Sequence, residues 1–349
     1  MADTHSSTPF LRRWAEALAP WAFTGLIVWF MLAQVKLESV RPLLANFSTS
    51  WLLLGLASYF ITNIFRDIRT WLLLGRSPKD IITLLPVFFV VSLANNSLPA
   101  RMGEVSHVYL TNRVLKAGVG PSAAGLVAVR IFDYITVALM FVAAWAMSAS
   151  QLSLAGEQVA LIAIPAVVVG AFLLAGLPWL GTRLLAGAVR VLEWARLRRL
   201  ALNTRREGQA ALETLGSFRT PRLYAQMLLT SLGVWLFTYL WFACFLEAVG
   251  YHAALPLVIF GSTFAVLTKA IPLASVGGFG THEAGWALGF SLIGFDLQAA
   301  ILSGFAVNVL TLAASAVFGF PSLALLRRSE SVHGPGAAGD TESLPSGSD

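Results

Sequence analysis

The stretch IITLLPVFFVVSLANNSLPARMGE, residues 81–104, is a hydrophobic segment that passes directly into asparagine, proline, arginine, glycine and glutamate. Proline and glycine interrupt helices. In lipid, the backbone groups freed by such a break are tolerated only where protein or a water-filled cavity satisfies them. The stretch therefore predicts a helix that is broken at membrane depth.

The composition of the whole chain indicates a membrane protein. Of 349 residues, 57% are hydrophobic and 12% are charged, which is about half the charged fraction of a soluble domain. The net charge is +6, but the basic residues lie next to apolar segments, where they set orientation and meet anionic headgroups. Nucleic acid is therefore not an expected partner.

Six segments are apolar over the roughly 20 residues that a membrane span needs. They are residues 20–36, 50–71, 122–148, 157–181, 223–249 and 298–326. Two further apolar segments, 81–115 and 257–294, each contain a cluster of proline and glycine. The sequence predicts an all-α polytopic helical membrane bundle with six full spans and two broken-helix hairpins.

The bias of lysine and arginine towards cytoplasmic loops predicts the orientation. The loop 182–222 carries nine arginines and is assigned to the cytoplasm, as are both termini and the basic clusters 66–79 and 113–116. The first hairpin must then enter and leave from the inside, and the second from the outside. Two re-entrant hairpins in an inverted repeat are typical of transporters, in which the substrate binds near the paired breaks.

The predicted organisation has six parts. They are a cytoplasmic N-terminus (1–19), a first membrane repeat (20–148), an outer loop with the first span of the second repeat (149–181), a basic cytoplasmic loop (182–222), the rest of the second repeat (223–328) and a disordered tail (329–349). Within the basic loop, residues 184–200 are expected to form an amphipathic helix. This loop either lies on the anionic inner leaflet or is a solvated linker.

Polar and helix-breaking residues of the hairpins and the following spans are candidates for a substrate-binding and translocation site. They are Asn95, Asn96, Pro99, Arg101, Gly103, Glu104, His107, Arg130, Asp133, Lys269, Pro272, Gly277, Gly278, Gly280, His282, Glu283 and Asn308. Inserting a charged side chain at the bilayer centre costs about 2.5–3.5 kcal/mol, so such a residue is expected to have an ion-pair partner or a function.

Arg101 and Arg130 are expected to attract a phosphate, and Glu104, Asp133 and Glu283 to hold the arginines or to exchange protons. The alternative is that Arg101 with Glu104, and Arg130 with Asp133, only lock helices together, because each pair is three residues apart.

Other chemistry has little support in the residue pattern. Trp286 stands where a His-Glu-x-x-His motif would place its second histidine, and Cys244 is the only cysteine. His107 and His282 are either proton carriers or interior residues held by hydrogen bonds. We expect no metal, no cofactor and no enzymatic activity.

The hairpin motifs resemble those of a known family. Residues 95–104 (NNSLPARMGE), Arg130-Ile-Phe-Asp133 and residues 272–283 (PLASVGGFGTHE) are similar to the lysylphosphatidylglycerol synthase transmembrane-region family, also called the flippase-like domain family, over about residues 15–327. The resemblance implies a multi-pass protein of the bacterial inner membrane that moves or handles a lipid. The aminoacyltransferase domain of the bifunctional members is not expected, because only a tail follows Arg328.

Three positions depart from the family pattern. His107, Val129 and Asn308 stand where members often have an arginine, an acidic residue and an arginine. Fewer positive groups favour a polyprenyl, hopanoid or weakly charged lipid over a strongly anionic phospholipid. The sequence leaves two functions open, namely a protein that moves lipid between leaflets, or a non-transporting partner that presents lipid to an envelope-modifying enzyme. The oligomeric state is not predicted.

Overall fold

The protein, represented by a computed structural model, is a bundle of α-helices. The structure describes residues 29, 45, 47–75, 77–98, 102–152, 156–217, 220–270 and 278–332. No β-strand occurs in these ranges, which confirms the predicted all-α class. Most of the predicted first span, 20–36, and the tail from residue 333 lie outside them.

Four helices of the described chain precede the connection at residues 149–155. They are α1 (Thr49–Leu74), α2 (Lys79–Ser97), α3 (Met102–Leu115) and α4 (Val119–Ser148), followed by a 3-10 turn at Ala149–Gln151. α2 and α3 lie on either side of the predicted first break. α4 begins after Gly118, whose φ of 98° favours glycine.

Six helices follow this connection in the described chain. They are α5 (Gly156–Trp194), α6 (Arg198–Ser217), α7 (Pro221–Ala248), α8 (Leu255–Ala270), α9 (Thr281–Leu292) and α10 (Leu297–Val332). α8 and α9 lie on either side of the predicted second break. α7 starts with Pro221 at its first position, where a missing N–H costs nothing, and the Thr220 hydroxyl accepts from the Leu223 N–H.

The basic segment 182–222 differs from the expectation of an amphipathic helix at 184–200. α5 continues without interruption to Trp194, and α6 begins at Arg198 after a turn in which Arg196 has a φ of 59°. No proline occurs at 182–194, and Gly187 alone does not end the helix, so α5 extends into the basic segment.

Within the described residues, four helices are long and apolar enough to cross a membrane. They are α2, α4, α7 and residues Leu297–Arg328 of α10, while α8 is apolar but shorter. The predicted spans 50–71 and 157–181 fall in α1 and α5, which are not among the four. α1 carries Arg66, Asp67 and Arg69 close to its end. These lengths and compositions are those of a multi-pass membrane protein.

The helices pack through a reciprocal set of contacts. α1 packs along α7, α2 along α10, and α8 along α4. The helices that flank each predicted break also contact each other, α2 with α3 and α8 with α9. If α1, α2, α3 and α4 are replaced by α7, α8, α9 and α10 respectively, and the reverse, the same helix pairs are in contact.

An aromatic core holds the second helix pair, α8 and α9, against its neighbours. The rings of Trp286 and Phe290 stack with their centroids 4.2 Å apart. The Trp286 Nε1 donates to Ser303 Oγ of α10 at 3.1 Å. α8 and α9 approach closely because Gly289 faces the backbone of Gly261, and a Cβ at Gly289 would collide with its carbonyl oxygen. α9 is therefore fixed on both sides.

Candidate functional site

One cavity, with a volume of about 230 Å³, brings together polar residues of both helix pairs. The predicted site residues in its wall are Asn95, Asn96, Glu104, His107, Arg130, Asp133, Lys269 and Gly278. Gly103, Gly280, His282, Glu283 and Asn308 are outside this lining. Pro99, Arg101, Pro272 and Gly277 lie outside the described residues.

Two arginines of α1 line the same cavity, and sequence reasoning missed them as site residues. Arg66 and Arg69 entered the sequence analysis only as part of the basic cluster 66–79. A usable signal was present, because Tyr59, Asn63, Arg66 and Thr70 recur every three or four residues of an otherwise apolar helix. Such spacing places them on one helix face and predicts a polar stripe.

Asp133 is the centre of a buried network that joins α1, α4 and α7. Its Oδ1 accepts hydrogen bonds from Arg69 Nη1 at 2.6 Å and from Trp235 Nε1 at 2.9 Å. Arg69 also donates to Ser231 Oγ at 2.9 Å. The predicted contact of Arg130 Nη1 with Asp133 Oδ2 is present at 3.5 Å, longer than the Arg69 contact. The main partner of Asp133 is therefore Arg69.

Arg130 has its closer carboxylate partner on α3. Its Nη2 donates to Glu104 Oε1 at 2.8 Å, and the two side chains are 31% and 29% exposed. This pair lies in the cavity wall and is much more open than the Asp133 network. The pair of Arg101 with Glu104, which the sequence offered as a structural alternative, is not described because Arg101 is outside the described residues.

Gly103 allows α3 to return close against α2. A Cβ at this position would collide with the side chain and the backbone nitrogen of Asn95. Asn95 Oδ1 is buried and has no hydrogen-bond partner in the described chain. Gly103 is thus a packing position that brings the polar end of α2 next to the start of α3.

A chain of polar contacts joins the second helix pair, α8 and α9, to α10. Glu283 Oε1 accepts from Asn308 Nδ2 at 2.9 Å, and Asn308 Oδ1 accepts from Lys269 Nζ at 3.2 Å. Glu283 Oε2 accepts from the Gly280 backbone N–H at 2.6 Å at the start of α9. Glu283 and Asn308 are buried, whereas Lys269 lines the cavity. Glu283 is thus linked to Lys269 through the side-chain amide of Asn308. Within the described residues Glu283 contacts no arginine.

The glycines before α9 are required by the backbone. Gly278 has a φ of 70° and Gly280 has a φ of 86°. Residues with a Cβ rarely adopt these backbone conformations. A Cβ at Gly278 would also collide with the side chain of Lys269. These two glycines shape the turn and leave room for the lysine.

His107 and His282 are buried among aromatic rings. Neither has a hydrogen-bond partner within the residues that the structure describes, in contrast to the interior role considered for them. The His107 ring centroid is 5.3 Å from Phe88, and that of His282 is 5.5 Å from Trp286. Nowhere in the described ranges do three or more histidine, cysteine, aspartate or glutamate residues group as metal ligands.

The cavity wall has more positive than negative side chains. Among its described residues, Arg66, Arg69, Arg130 and Lys269 give four positive charges, and Glu104 and Asp133 give two negative charges, which leaves an excess of two. Charges interact more strongly in apolar surroundings than in water. The described wall therefore has an excess of positive charge, to which the two α1 arginines contribute.

Comparison with known families gives a match over most of the chain. The family model of the lysylphosphatidylglycerol synthase TM region matches residues 17–319, which include all of α1 to α9 and most of α10. The match confirms the resemblance carried by the two hairpin motifs. No curated protein matches the chain.

Proposed function

The chain belongs to the lysylphosphatidylglycerol synthase TM region family, and on this premise we propose that it moves a lipid between the two leaflets of a bacterial inner membrane. The observation that carries the proposal is the cavity in which charged groups of both helix pairs meet inside an apolar bundle. In this proposal a headgroup crosses through the cavity while its acyl chains stay in the bilayer. No covalent chemistry is part of it.

The proposed topology has six full spans, both termini in the cytoplasm, and two re-entrant hairpins related by an inverted repeat. The reciprocal packing of α2 on α10 and of α8 on α4 supports it. A second support is that Glu104 and Glu283 contact residues 26 and 25 positions later, each on the helix that follows its pair. In transporters with inverted repeats, the substrate binds at the interface of the repeats.

The charged contacts of the cavity have different proposed tasks. The Asp133 network is buried and holds α1, α4 and α7 together. The Glu104–Arg130 pair is open to the cavity, so an anionic headgroup competes with Glu104 for the Arg130 guanidinium. In this proposal Arg130 binds the headgroup when it leaves Glu104, and it releases the headgroup when it returns to Glu104.

Reconstitution tests the proposal. Purified protein is placed in liposomes with fluorescent NBD-phosphatidylglycerol, and dithionite added outside bleaches only probe that reaches the outer leaflet. We expect the wild type to increase the bleached fraction well above that of protein-free liposomes. Glu104→Gln is expected to slow bleaching at least tenfold, whereas Glu213→Gln, on the exposed surface of α6, is expected to act like the wild type. Wild-type bleaching no faster than in protein-free liposomes would refute the proposal.

The second candidate function is that of a non-transporting partner that presents lipid to an envelope-modifying enzyme. The observation that favours it is the exposed face of α6, which carries Arg198, Arg199, Arg205 and Arg206. Under this function the purified protein alone binds lipid but does not move it. The same liposome experiment therefore separates the two functions.

A further inference from the structure

We propose that Arg66 is the primary anchor of the lipid headgroup in this cavity, with Arg130 joining it when Arg130 exchanges Glu104 for the headgroup, and that the group Arg66 recognises is a phosphate. The inference rests on the proposed function, because it names the chemical class of the lipid. Arg66 lies on α1, outside both hairpin motifs, and lines the cavity together with residues of both helix pairs.

The other two arginines of the cavity wall already have carboxylate partners. Arg69 is 2.6 Å from Asp133, and Arg130 is 2.8 Å from Glu104. Within the described lining, Asp133 and Glu104 are the acidic residues, and both are used in these pairs. Asp133 lies close enough to attract Arg66, but no carboxylate of the described wall forms an ion pair with it.

The partners of Arg66 are neutral and fix its position. Its Nη1 donates to Ser92 Oγ at 3.2 Å, and Ser92 Oγ donates to Asn63 Oδ1 at 2.9 Å. Its Cζ lies 6.0 Å from the centre of the Trp241 ring. Arg66 forms no ion pair in the part of the chain that the structure describes. One N–H group donates to Ser92, and Arg66 lines the cavity, so in this proposal its remaining N–H groups bind the ligand.

A phosphate is the ligand that this arrangement fits best. A guanidinium presents its N–H groups in a planar fork that matches two phosphate oxygens, and the charge strengthens both hydrogen bonds. A cation without a counterion is costly in an apolar bundle, so a bound anion also removes that cost. Lys269 of α8 adds a second positive group to the same cavity. An uncharged sugar or hydroxyl headgroup leaves Arg66 uncompensated, which disfavours hopanoids among the lipids that the sequence left open.

Binding to the full chain in detergent tests the assignment. The probes are NBD-phosphatidic acid, which carries a phosphate, and NBD-glucosylceramide, which has an uncharged headgroup. Arg66→Gln is expected to weaken the binding of phosphatidic acid at least tenfold and to leave glucosylceramide binding unchanged. Arg66→Lys is expected to retain an intermediate affinity because the charge stays and the fork is lost, and it guards against a variant that fails to fold. Arg190→Gln, which removes an exposed arginine of α5, is the matched control and is expected to bind like the wild type.

Inorganic phosphate distinguishes a lipid headgroup from a free anion. Excess inorganic phosphate is expected to displace NBD-phosphatidic acid from the wild type. If inorganic phosphate binds through Arg66 but phosphatidic acid does not bind, the lipid assignment is overturned. Equal affinity of wild type and Arg66→Gln for phosphatidic acid overturns the role of Arg66.

The liposome experiment separates this inference from the proposed function. If the wild type moves NBD-phosphatidic acid and the folded Arg66→Gln protein moves it at the same rate, the inference fails and lipid movement stands. If the wild type binds phosphatidic acid through Arg66 but moves no lipid, lipid movement fails and the binding assignment stands.

Discussion

Asp133 shows at the residue scale how much one buried carboxylate contributes to this bundle. Its pair with Arg69 joins α4 to α1, and the two side chains are only 6% and 4% exposed. Loss of one partner of a buried pair leaves the other charge without compensation, whereas an open pair loses little when it is broken. The Asp133 and Glu104 contacts therefore differ in their effect on stability.

The first prediction compares these two carboxylates. Asp133→Ala is expected to lower the free energy of unfolding by about 3–5 kcal/mol. Glu104→Ala is expected to lower it by about 1 kcal/mol or less. The thermal unfolding midpoint of the detergent-solubilised protein gives the comparison. The double variant Arg69→Met with Asp133→Leu should recover part of the loss, because it removes both charges, and equal midpoints for the two single variants would contradict the assignment.

Glu104, Arg130 and Asp133 could be named as candidate site residues from the sequence, because charged residues stand out in apolar segments. Sequence reasoning did not find the pair of Arg69 with Asp133, because 64 residues separate the two and no local spacing connects them. Arg66 and Arg69 lie near the end of an apolar segment next to further basic residues, and this position by itself predicts only the orientation of the segment. Their place in the cavity follows from the packing of α1 on its neighbours.

Asn308 illustrates a different limit of sequence reasoning. It was noted as a departure from an arginine of the family pattern. In the structure its amide donates to Glu283 and accepts from Lys269. An arginine has no acceptor, so it could not make both contacts. Lys269 of α8 contacts Asn308 and lines the cavity, and only the three-dimensional arrangement reveals this contact.

At the scale of helices, the second prediction concerns the contact of α8 with α9. Gly289→Ala is expected to lower the free energy of unfolding by about 1–3 kcal/mol, because the new Cβ meets a backbone carbonyl that cannot turn away. Gly187→Ala in α5 is the matched control, since no atom lies within 4 Å of the added Cβ. It is expected to be neutral or to stabilise by about 0.5–1 kcal/mol. Thermal unfolding midpoints report both, and a stabilised Gly289→Ala protein would contradict the packing described.

The third prediction concerns the attachment of α6 to α4. Glu207 Oε2 accepts from the Gly120 backbone N–H at 2.8 Å, in the first turn of α4. Glu207→Ala removes this acceptor, at a cost of about 1 kcal/mol. Trypsin should then cut after Arg205 or Arg206 several times faster in the detergent-solubilised protein. Glu213→Ala, at an exposed position of the same helix, should leave the rate unchanged, and equal rates for both variants would show that Glu207 does not hold α6.

Helix existence was easier to predict than helix ends. The predicted spans 122–148 and 223–249 correspond closely to α4 and α7. The predicted segments 157–181 and 184–200 do not match the ends of α5 and α6, because residues 182–194 contain no strong helix breaker and the hydrophobic pattern alone does not show where a helix ends. The reciprocal contacts of the two helix pairs depend on residues far apart in sequence, so they could be expected only from hydropathy and matched spacing.

For the whole molecule, the fourth prediction tests the re-entrant topology. Cys244 is the only cysteine of the chain, so single cysteines can be placed in a Cys244→Ala background and probed in intact cells with a membrane-impermeant maleimide. Lys79→Cys and Lys116→Cys, before and after the first pair, should both be protected. His252→Cys and Asp296→Cys, around the second pair, should both be labelled.

Controls for this labelling lie in the 3-10 turn after α4 and within α6. Ser150→Cys should be labelled from outside, and Asn203→Cys should react only after permeabilisation; both positions are exposed. α2 has the length and composition to cross a membrane, so the experiment is discriminating. If Lys79→Cys and Lys116→Cys react from opposite sides, the first pair crosses the bilayer and is not a hairpin.

The charges of α1 have a consequence for biogenesis. On its own, a segment that ends in Arg66, Asp67 and Arg69 partitions from the translocon into lipid less readily than an uncharged one, because charges disfavour the apolar phase. The counterion of Arg69 is 64 residues downstream, which at about 5–20 residues per second is synthesised about 3–13 seconds later. The Arg69–Asp133 pair that joins α1 to α4 can therefore form only after α4 has been synthesised.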